Sequence, residues 1–534
     1  MSRSSSGSFL PLVFAPSEPS EPAKMAESPI TEEEAGGYYY GLHSHPKLVA
    51  RSDIEVKPWS ARYDGWTIKK TIDPIGYHAI VPLWNKANSD LRTGIIATLR
   101  DLNWTAIDIL RLGYARRLNT LDEPDDMFPK LLISVQPEST SRQSAYMTTL
   151  QCREVLREYG LNDIEVEIKE AWVSRCNSPQ LTSQPITEDI QETAQLSEFL
   201  GASIASKDFP ESEGTKGFYV RLQDTDKLLA VTCRHVLLDT FPNVDYRYPG
   251  NAPDMVIQPG DRTYKATVDS LSYYIERLEE RIDDLTPAEM EELRTLRDLK
   301  ANYDKINDLE SRIIGHVLFS PKYSLSTSTQ NVSWIRDWVL VELHPNRHET
   351  VFSEIKNRVV AGPRANRQLN QVLHHELSDD HRTRVKGLLV DHHTNTYELT
   401  RTVQKSEMRK PFEAARSMEN EPAMVVAKFG RTTGLTFGVA NEVKSVRRDL
   451  LTGETVISEE WCIVGHKKKG KLREPFSSKG DSGACILDMY GRVAGMLTSG
   501  NEAEKHRVFD ITYATPIEWL LKDIRSYKFE VRLA

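Results

Sequence analysis

The stretch KGDSGACIL, Lys479 to Leu487, sets Gly, Asp, Ser and Gly directly before an apolar run. The apolar part reads as a buried strand, and Gly-Asp-Ser-Gly as the tight loop that feeds it. Such a loop is either a plain turn or the seat of a nucleophile whose neighbouring backbone N–H groups bind negative charge. The tetrapeptide alone does not separate the two. A hydroxyl is a weak nucleophile at neutral pH and needs a base, usually His, itself oriented by a carboxylate.

Two upstream segments offer those partners. AVTCRHVLL, Ala230 to Leu238, places His235 at the end of an apolar strand, and RDWVLVEL, Arg336 to Leu343, places Asp337 at the mouth of an alternating strand. Taken singly, each has a bland reading: a satisfied core or loop histidine, and a turn aspartate that starts a strand. Together they stand in the order His, Asp, Ser within one β-rich segment, which is one of the known orders of a catalytic triad.

The chain has 534 residues, 39% hydrophobic and 27% charged, with a net charge of -9. Its length predicts two domains or one with large additions. The acidic balance argues against nucleic acid or an anionic membrane as the main partner. Five scattered cysteines, Cys152, Cys176, Cys233, Cys462 and Cys485, read as reduced thiols. With no convincing signal peptide and no run of membrane-spanning length, a cytoplasmic or nuclear location is expected.

Residues 1 to about 36, rich in Ser, Pro and Glu, are expected to stay disordered. Residues 37–193 read as an α/β domain of unlegible function, with a strand over Lys130 to Gln136, a helix over Ser141 to Tyr159 and a strand over Ile164 to Trp172. That unit has no Gly-rich phosphate loop, which argues against a nucleotide site. Residues 194–534 change to short strands separated by turns, beginning with a hairpin around QDTDK, and predict an all-β barrel or sandwich. Two insertions interrupt it. Residues 268–313 carry helical spacing and a Thr286, Pro287, Glu289 helix start, predicting a helical hairpin. Residues 346–421 are charged and contain several histidines.

The blocks TCRH, DWVLVEL, GDSGACIL and GMLTSGN resemble those of trypsin-like, chymotrypsin-fold serine proteases, in particular intracellular fungal members. KFGRTTGLTFGVAN, Lys428 to Asn441, and TYATPIEWLLKDI, Thr512 to Ile524, resemble further blocks of that group. The resemblance covers about residues 195–534 and implies a chymotrypsin-like double barrel with a C-terminal helix, so that the whole chain is an α+β multidomain protein. It implies peptide-bond hydrolysis with Ser482 as nucleophile, His235 as general base and then acid, and Asp337 orienting the imidazole. The backbone N–H groups of Gly480 and Ser482 would form the oxyanion hole. Phe476, Ser477 and Ser478 on one side, and Thr498, Ser499 and Gly500 on the other, would wall a neutral specificity pocket for an apolar or small side chain. No cofactor or metal is implied. The partners are a protein or peptide substrate and a protein docking on the N-terminal domain or the helical insertion.

The chain departs from secreted relatives in lacking both the disulfide beside His235 and a basic cleavage site that would free an Ile-Val-Gly-Gly-like terminus to insert beside Asp481. Either the site is preformed, or another cation satisfies that carboxylate. HHELSDDH, His374 to His381, resembles a zinc-protease helix, but that motif needs a second His four residues on, where Asp379 sits instead, and the segment reads as a charged loop. KKKGK, Lys467 to Lys471, reads as a solvated turn or a nicking site. The rival to an enzyme is a binding or regulatory scaffold that keeps the protease fold without turnover.

Overall fold

A computed structural model describes residues 30–60, 62–63, 66–67, 69–114, 126–175, 195–326, 334–361, 365–376, 390–391, 396–409, 424–451, 454–467, 473–502 and 508–534. Over these residues the protein is mostly β-sheet with several helices.

The N-terminal unit is a sheet ordered Lys47–Arg51, Glu165–Glu170, Asp126–Val135, Trp104–Tyr114 and Lys70–Asp73. Asp126–Val135 and Glu165–Glu170 run parallel, joined by the helix Arg142–Glu158, as the strand, helix, strand reading requires. Ser141 caps that helix, accepting from Ser144 N at 3.2 Å. Ala145, Cys152 and Leu156 recur at helical spacing and are buried against the sheet.

Residues 30–36, expected to be disordered, belong to the fold. Glu32–Gly37 is a helix capped by Thr31, and it buries Ile30, Ala35 and Tyr38. Glu34 accepts from the buried Arg51 guanidinium at 2.8 Å, which fixes the helix on the sheet. Residues 1–29 lie outside the described part, as do 176–194, where the domain boundary was placed.

Most of the remaining strands form two antiparallel rings. In the first, the path runs through Ser203–Ser206, Met255–Ile257, Ile313–Ser320, Val339–Leu343, Leu228–Thr232 and Phe218–Leu222. It returns through Glu213–Thr215 to Ser203–Ser206. The second runs through Glu454–Gly465, Gly434–Ala440, Met424–Gly430, Cys485–Asp488, Arg492–Glu502 and Ile511–Pro516, and closes on its first member. Closure removes the exposed sheet edges that an open antiparallel sheet leaves.

A helical hairpin, Asp261–Glu279 and Pro287–Asp304, connects two adjacent strands of the first ring. Its second helix begins with the Thr286/Glu289 capping box. The second insertion contains the helix Ala365–Glu376, so His374 and Glu376 are helical; the charged-loop reading fails there because Glu376 is buried against Arg473 at 2.9 Å. Lys467 is not a solvated turn residue either: its Nζ pairs with Asp73 at 3.1 Å. Residues 377–389 and 468–472 lie outside the described part.

The N-terminal sheet is continuous with the second ring. Trp104–Tyr114 pairs with Ser445–Leu451, whose hairpin partner is the ring strand Glu454–Gly465. Asn441 seals this join: its side chain accepts from Ile75 N at 2.8 Å and donates to Ile109 O at 2.8 Å and Val443 O at 3.0 Å. Asn441→Ala strands buried backbone groups on both units, so it is expected to cost about 2 to 4 kcal/mol, read as a lowered denaturation midpoint with the secondary structure retained.

Candidate active site

Strand periodicity places the candidate carboxylate. Arg336 and Trp338 flank Asp337, and both reach the C-terminal helix Ile517–Ser526: Arg336 Nε donates to the Asp523 carboxylate at 3.0 and 3.1 Å, and Trp338 Nε1 at 2.9 Å. The neighbours being tied to one side, Asp337 points to the other. It accepts from His235 N at 3.2 Å through Oδ1, and Oδ2 lies 2.6 Å from His235 Nδ1.

His235 does not sit at a strand end as read, but in the one-turn helix Arg234–Leu237 that follows Leu228–Thr232. The neighbouring Arg234 anchors this turn, donating to Pro321 O at 2.8 Å, Ser320 Oγ at 3.1 Å and Val244 O at 3.1 Å. Cys233 caps the turn and hydrogen-bonds Leu497 O at 3.3 Å, joining it to the second ring. His235 is 5% exposed and Asp337 4%.

The Gly480–Gly483 loop is held from three directions. Thr215 of the first ring accepts Arg431 N through its hydroxyl, donates that hydroxyl to Gly480 O at 2.9 Å and its N–H to Ser482 O at 2.8 Å. Gly483 N donates to Leu497 O at 2.8 Å. Asp481 is wholly buried and accepts from Thr432 N at 2.9 Å, Thr433 N at 3.2 Å, Thr433 Oγ1 at 2.7 Å and Ser478 N at 3.0 Å.

The cation beside Asp481 is Lys428 Nζ, 3.2 Å from Oδ2, with both side chains fully buried. Of the two alternatives left by the sequence, a second cation is thus present in the chain itself. Lys428 was quoted in KFGRTTG without a role; the signal was a lone lysine in MVVAKFG, Met424–Gly430, a strand otherwise wholly apolar and buried along its length.

Gly480 has φ +97°, and a Cβ there would collide with Thr432 Oγ1 and the Arg431 guanidinium. Only glycine fits this backbone. Ser482 is 0% exposed, and its Oγ donates to Thr498 O at 2.8 Å. The six expected pocket residues do converge. Ser477–Ser478 pairs with Val508–Phe509, Ser477 Oγ is 2.7 Å from Thr512 Oγ1, and the Phe509 ring packs on Gly500 where a Cβ would have to be. Phe476 is in the core with Phe509 and Leu497. All six are buried.

Behind that wall lie two buried ionisable residues absent from the sequence reading, Arg447, which pairs with Asp449 at 2.9 Å, and Glu460. Arg447 Nη1 donates to Ser499 Oγ at 2.9 Å, and Glu460, also buried, accepts from Ser458 Oγ at 2.7 Å. Burial pushes the Glu460 carboxyl up to about 7, against the opposing pull of Arg447 and the Ser458 hydroxyl. Asp523 is likewise raised by burial, in spite of its bonds to Trp338 and Arg336.

His374 is exposed, and Glu376 is engaged by Arg473, so these two do not assemble a metal site with each other. One group of described residues does bring metal-binding atom types together, namely Cys233, His235 and Asp337, all buried. The four described cysteines, Cys152, Cys233, Cys462 and Cys485, are free thiols. Cys176 lies outside the described residues.

No family model matches the chain, and no curated protein matches it. Among solved structures it is similar to a glutamic acid-specific serine protease that uses a histidine triad in substrate binding, at 10% identity over 63% of this chain and 100% of that one, with a TM-score of 0.29. It is also similar to the chymotrypsin of Cellulomonas bogoriensis, at 11% identity over 63% of this chain and 97% of that one, with a TM-score of 0.24.

Two outcomes follow from the buried charges. Lys428→Met leaves the Asp481 carboxylate buried without its cation, and is expected to cost about 3 to 5 kcal/mol in chemical denaturation. Glu460 ionises near 4.5 when unfolded but near 7 when folded, so between those values the unfolded state has already lost a proton that the folded state keeps. Stability therefore falls as pH rises through that window, by about 3 kcal/mol in total. Glu460→Gln should raise the denaturation midpoint at pH 8 and leave it near that of the parent at pH 4.

Proposed function

We propose that this chain is a serine endopeptidase whose residues 194–534 form a chymotrypsin-like double barrel. The observation that carries the reading is the buried His235–Asp337 pair, with Nδ1 2.6 Å from the carboxylate, joined through Cys233 and Leu497 to the strand that also holds Ser482. With Nδ1–H donated to Asp337, the lone pair is on Nε2, the tautomer a general base requires.

In this reading Ser482 Oγ gives its proton to His235 Nε2 and attacks the substrate carbonyl carbon. The C–N bond then breaks, the leaving amine taking the proton from His235, and water hydrolyses the acyl-enzyme with His235 again as base. Gly480 N–H and Ser482 N–H are the proposed oxyanion donors; the glycine-only conformation at Gly480 supports a backbone shaped for that task. Lys428 substitutes for a freed N-terminus in holding Asp481, so no activation cleavage is needed to neutralise that carboxylate.

A specific observation favours the rival reading of a silent scaffold: Ser482 is fully buried, and its hydroxyl is donated to the Thr498 carbonyl. A fluorophosphonate probe separates the two. Peptidase activity predicts covalent labelling of the folded protein that is abolished in Ser482→Ala and falls at least a hundredfold in His235→Ala; an unlabelled, folded protein would rule the enzyme out in this state.

A further inference from the structure

The strand Arg492–Glu502 is longer than the ring it helps to close. On one side it pairs with Ile511–Pro516 along most of its length. On the other it pairs with Cys485–Asp488 over its first half only, from Leu487↔Val493 to Cys485↔Met496. The edge is then continued by the nucleophile loop itself: Leu497 O accepts Gly483 N, and Thr498 O accepts Ser482 Oγ. Beyond Thr498 the same edge is covered by Trp172–Arg175, antiparallel, with Ser499↔Arg175, Gly500↔Ser174, Asn501↔Val173 and Glu502↔Trp172.

The direction of that strand matters. In this register, each step from Trp172 to Arg175 is a step from Glu502 toward Thr498, so the chain advances along the edge directly at Ser482. An extended peptide that is to present its carbonyl to Ser482 must be laid on this same edge in this same sense, because strand addition is how main chain is held in register beside a sheet. The strand is also rigidly supplied. Ala171 N donates to Val135 O at 3.0 Å, just after Glu165–Glu170 leaves the N-terminal sheet, and Val173 packs on the buried cluster containing Tyr38 and Tyr513. Ser482, beside this covered edge, is fully buried.

We propose that the protein's own strand Trp172–Arg175 is the resident occupant of the Ser499–Glu502 edge, lying in the sense in which a peptide substrate of the peptidase reading would lie, and that an incoming peptide must displace it. The inference rests on the peptidase reading only for the role of Ser482; occupancy of the edge is testable without catalysis.

The test uses a labelled peptide of the sequence Glu170 to Arg175 and the full chain carrying Ser482→Ala. Only one of two adjacent residues turns its N–H to the edge, so adding both Val173→Pro and Ser174→Pro removes that donor whichever it is, and is expected to tighten binding of the peptide at least tenfold by fluorescence anisotropy. With Ser482 intact, the same two prolines should raise the rate of fluorophosphonate labelling at least tenfold. Tighter peptide binding with no labelling in any form would refute the peptidase reading while supporting occupancy. Unchanged peptide affinity in a folded double-proline protein whose edge amides exchange freely would overturn the proposal. Should the prolines prevent folding, hydrogen exchange of the Ser482→Ala protein at saturating peptide decides. Faster exchange over Trp172–Arg175 with Ser499–Glu502 still protected supports displacement, and unchanged exchange over Trp172–Arg175 overturns it.

Discussion

A carboxylate cannot be buried at 0% exposure beside a reactive loop unless its charge is neutralised and its lone pairs are met, and Asp481 satisfies both conditions within this chain. Four donors from two segments and one lysine converge on it. Because Asp481 lies between Gly480 and Ser482, fixing it fixes the backbone on each side: the left-handed turn at Gly480 before it and the descent into the strand through Gly483 after it. The loop conformation is therefore set by a charge pair inside the second ring, and by Thr215 reaching over from the first.

The same logic governs the other half of the site. His235 and Asp337 come from consecutive parts of the first ring, and neither is held by its own pairing alone. Arg234 binds three oxygens of the Ser320–Pro321 and Val244 segments to stop the helical turn from rotating. Arg336 and Trp338 clamp Asp523 of a helix that follows the last strand of the second ring. Each ring thus borrows from the other: the first sends Thr215 to the nucleophile loop, while the second supplies Leu497 O to Cys233 and the C-terminal helix to Asp337. In the proposed mechanism, proton transfer between the rings depends on these cross-ties holding sub-ångström positions.

Much of this was legible in the sequence where a local rule operates. The hairpin about QDTDK, the helix after Ser141 and the Thr286 capping box are read from neighbours along the chain, and the structure has them where expected. The six wall residues follow from the family resemblance and from no local rule; of them, Phe476 clusters with Phe509, Ser477 bonds Thr512 and Gly500 lies against the Phe509 ring. What escaped were features set by tertiary proximity. Glu32–Gly37 is polar enough to read as a tail, yet Arg51, far from it in the sheet, draws Glu34 into a buried pair. Glu376 reads as part of a charged loop until Arg473, nearly a hundred residues on, pairs with it. Nothing in a single sequence announces that Trp104–Tyr114 pairs with Ser445–Leu451, since alternation fixes which side chains face inward and says nothing of which strand lies alongside. The packing of the Phe509 ring on Gly500 was equally invisible, because it joins two segments that no local rule brings together.

If the chain accepts an extended peptide as proposed, fusion of the N-terminal sheet to the second ring resolves a conflict built into any such barrel. A closed ring protects its main chain, but a strand that overhangs the ring to receive a substrate leaves donors and acceptors unpaired, and such an edge invites association with any passing strand. The overhang here is Thr498 to Glu502. Ser134, on the N-terminal sheet, accepts from Asn501 Nδ2 at 3.0 Å and from Lys169 Nζ at 3.1 Å, so the sheet and the overhang are locked together by side chains as well as by main chain. Asp108 adds a second lock, accepting from Ser445 and from Tyr513 of the adjacent ring strand. With the sheet held so firmly, its outgoing strand Trp172–Arg175 lands on the overhang in a single register. The edge is thereby satisfied by covalently attached main chain at high effective concentration, and on the proposed displacement a free peptide gains access only by offering pairing that outcompetes a tethered one.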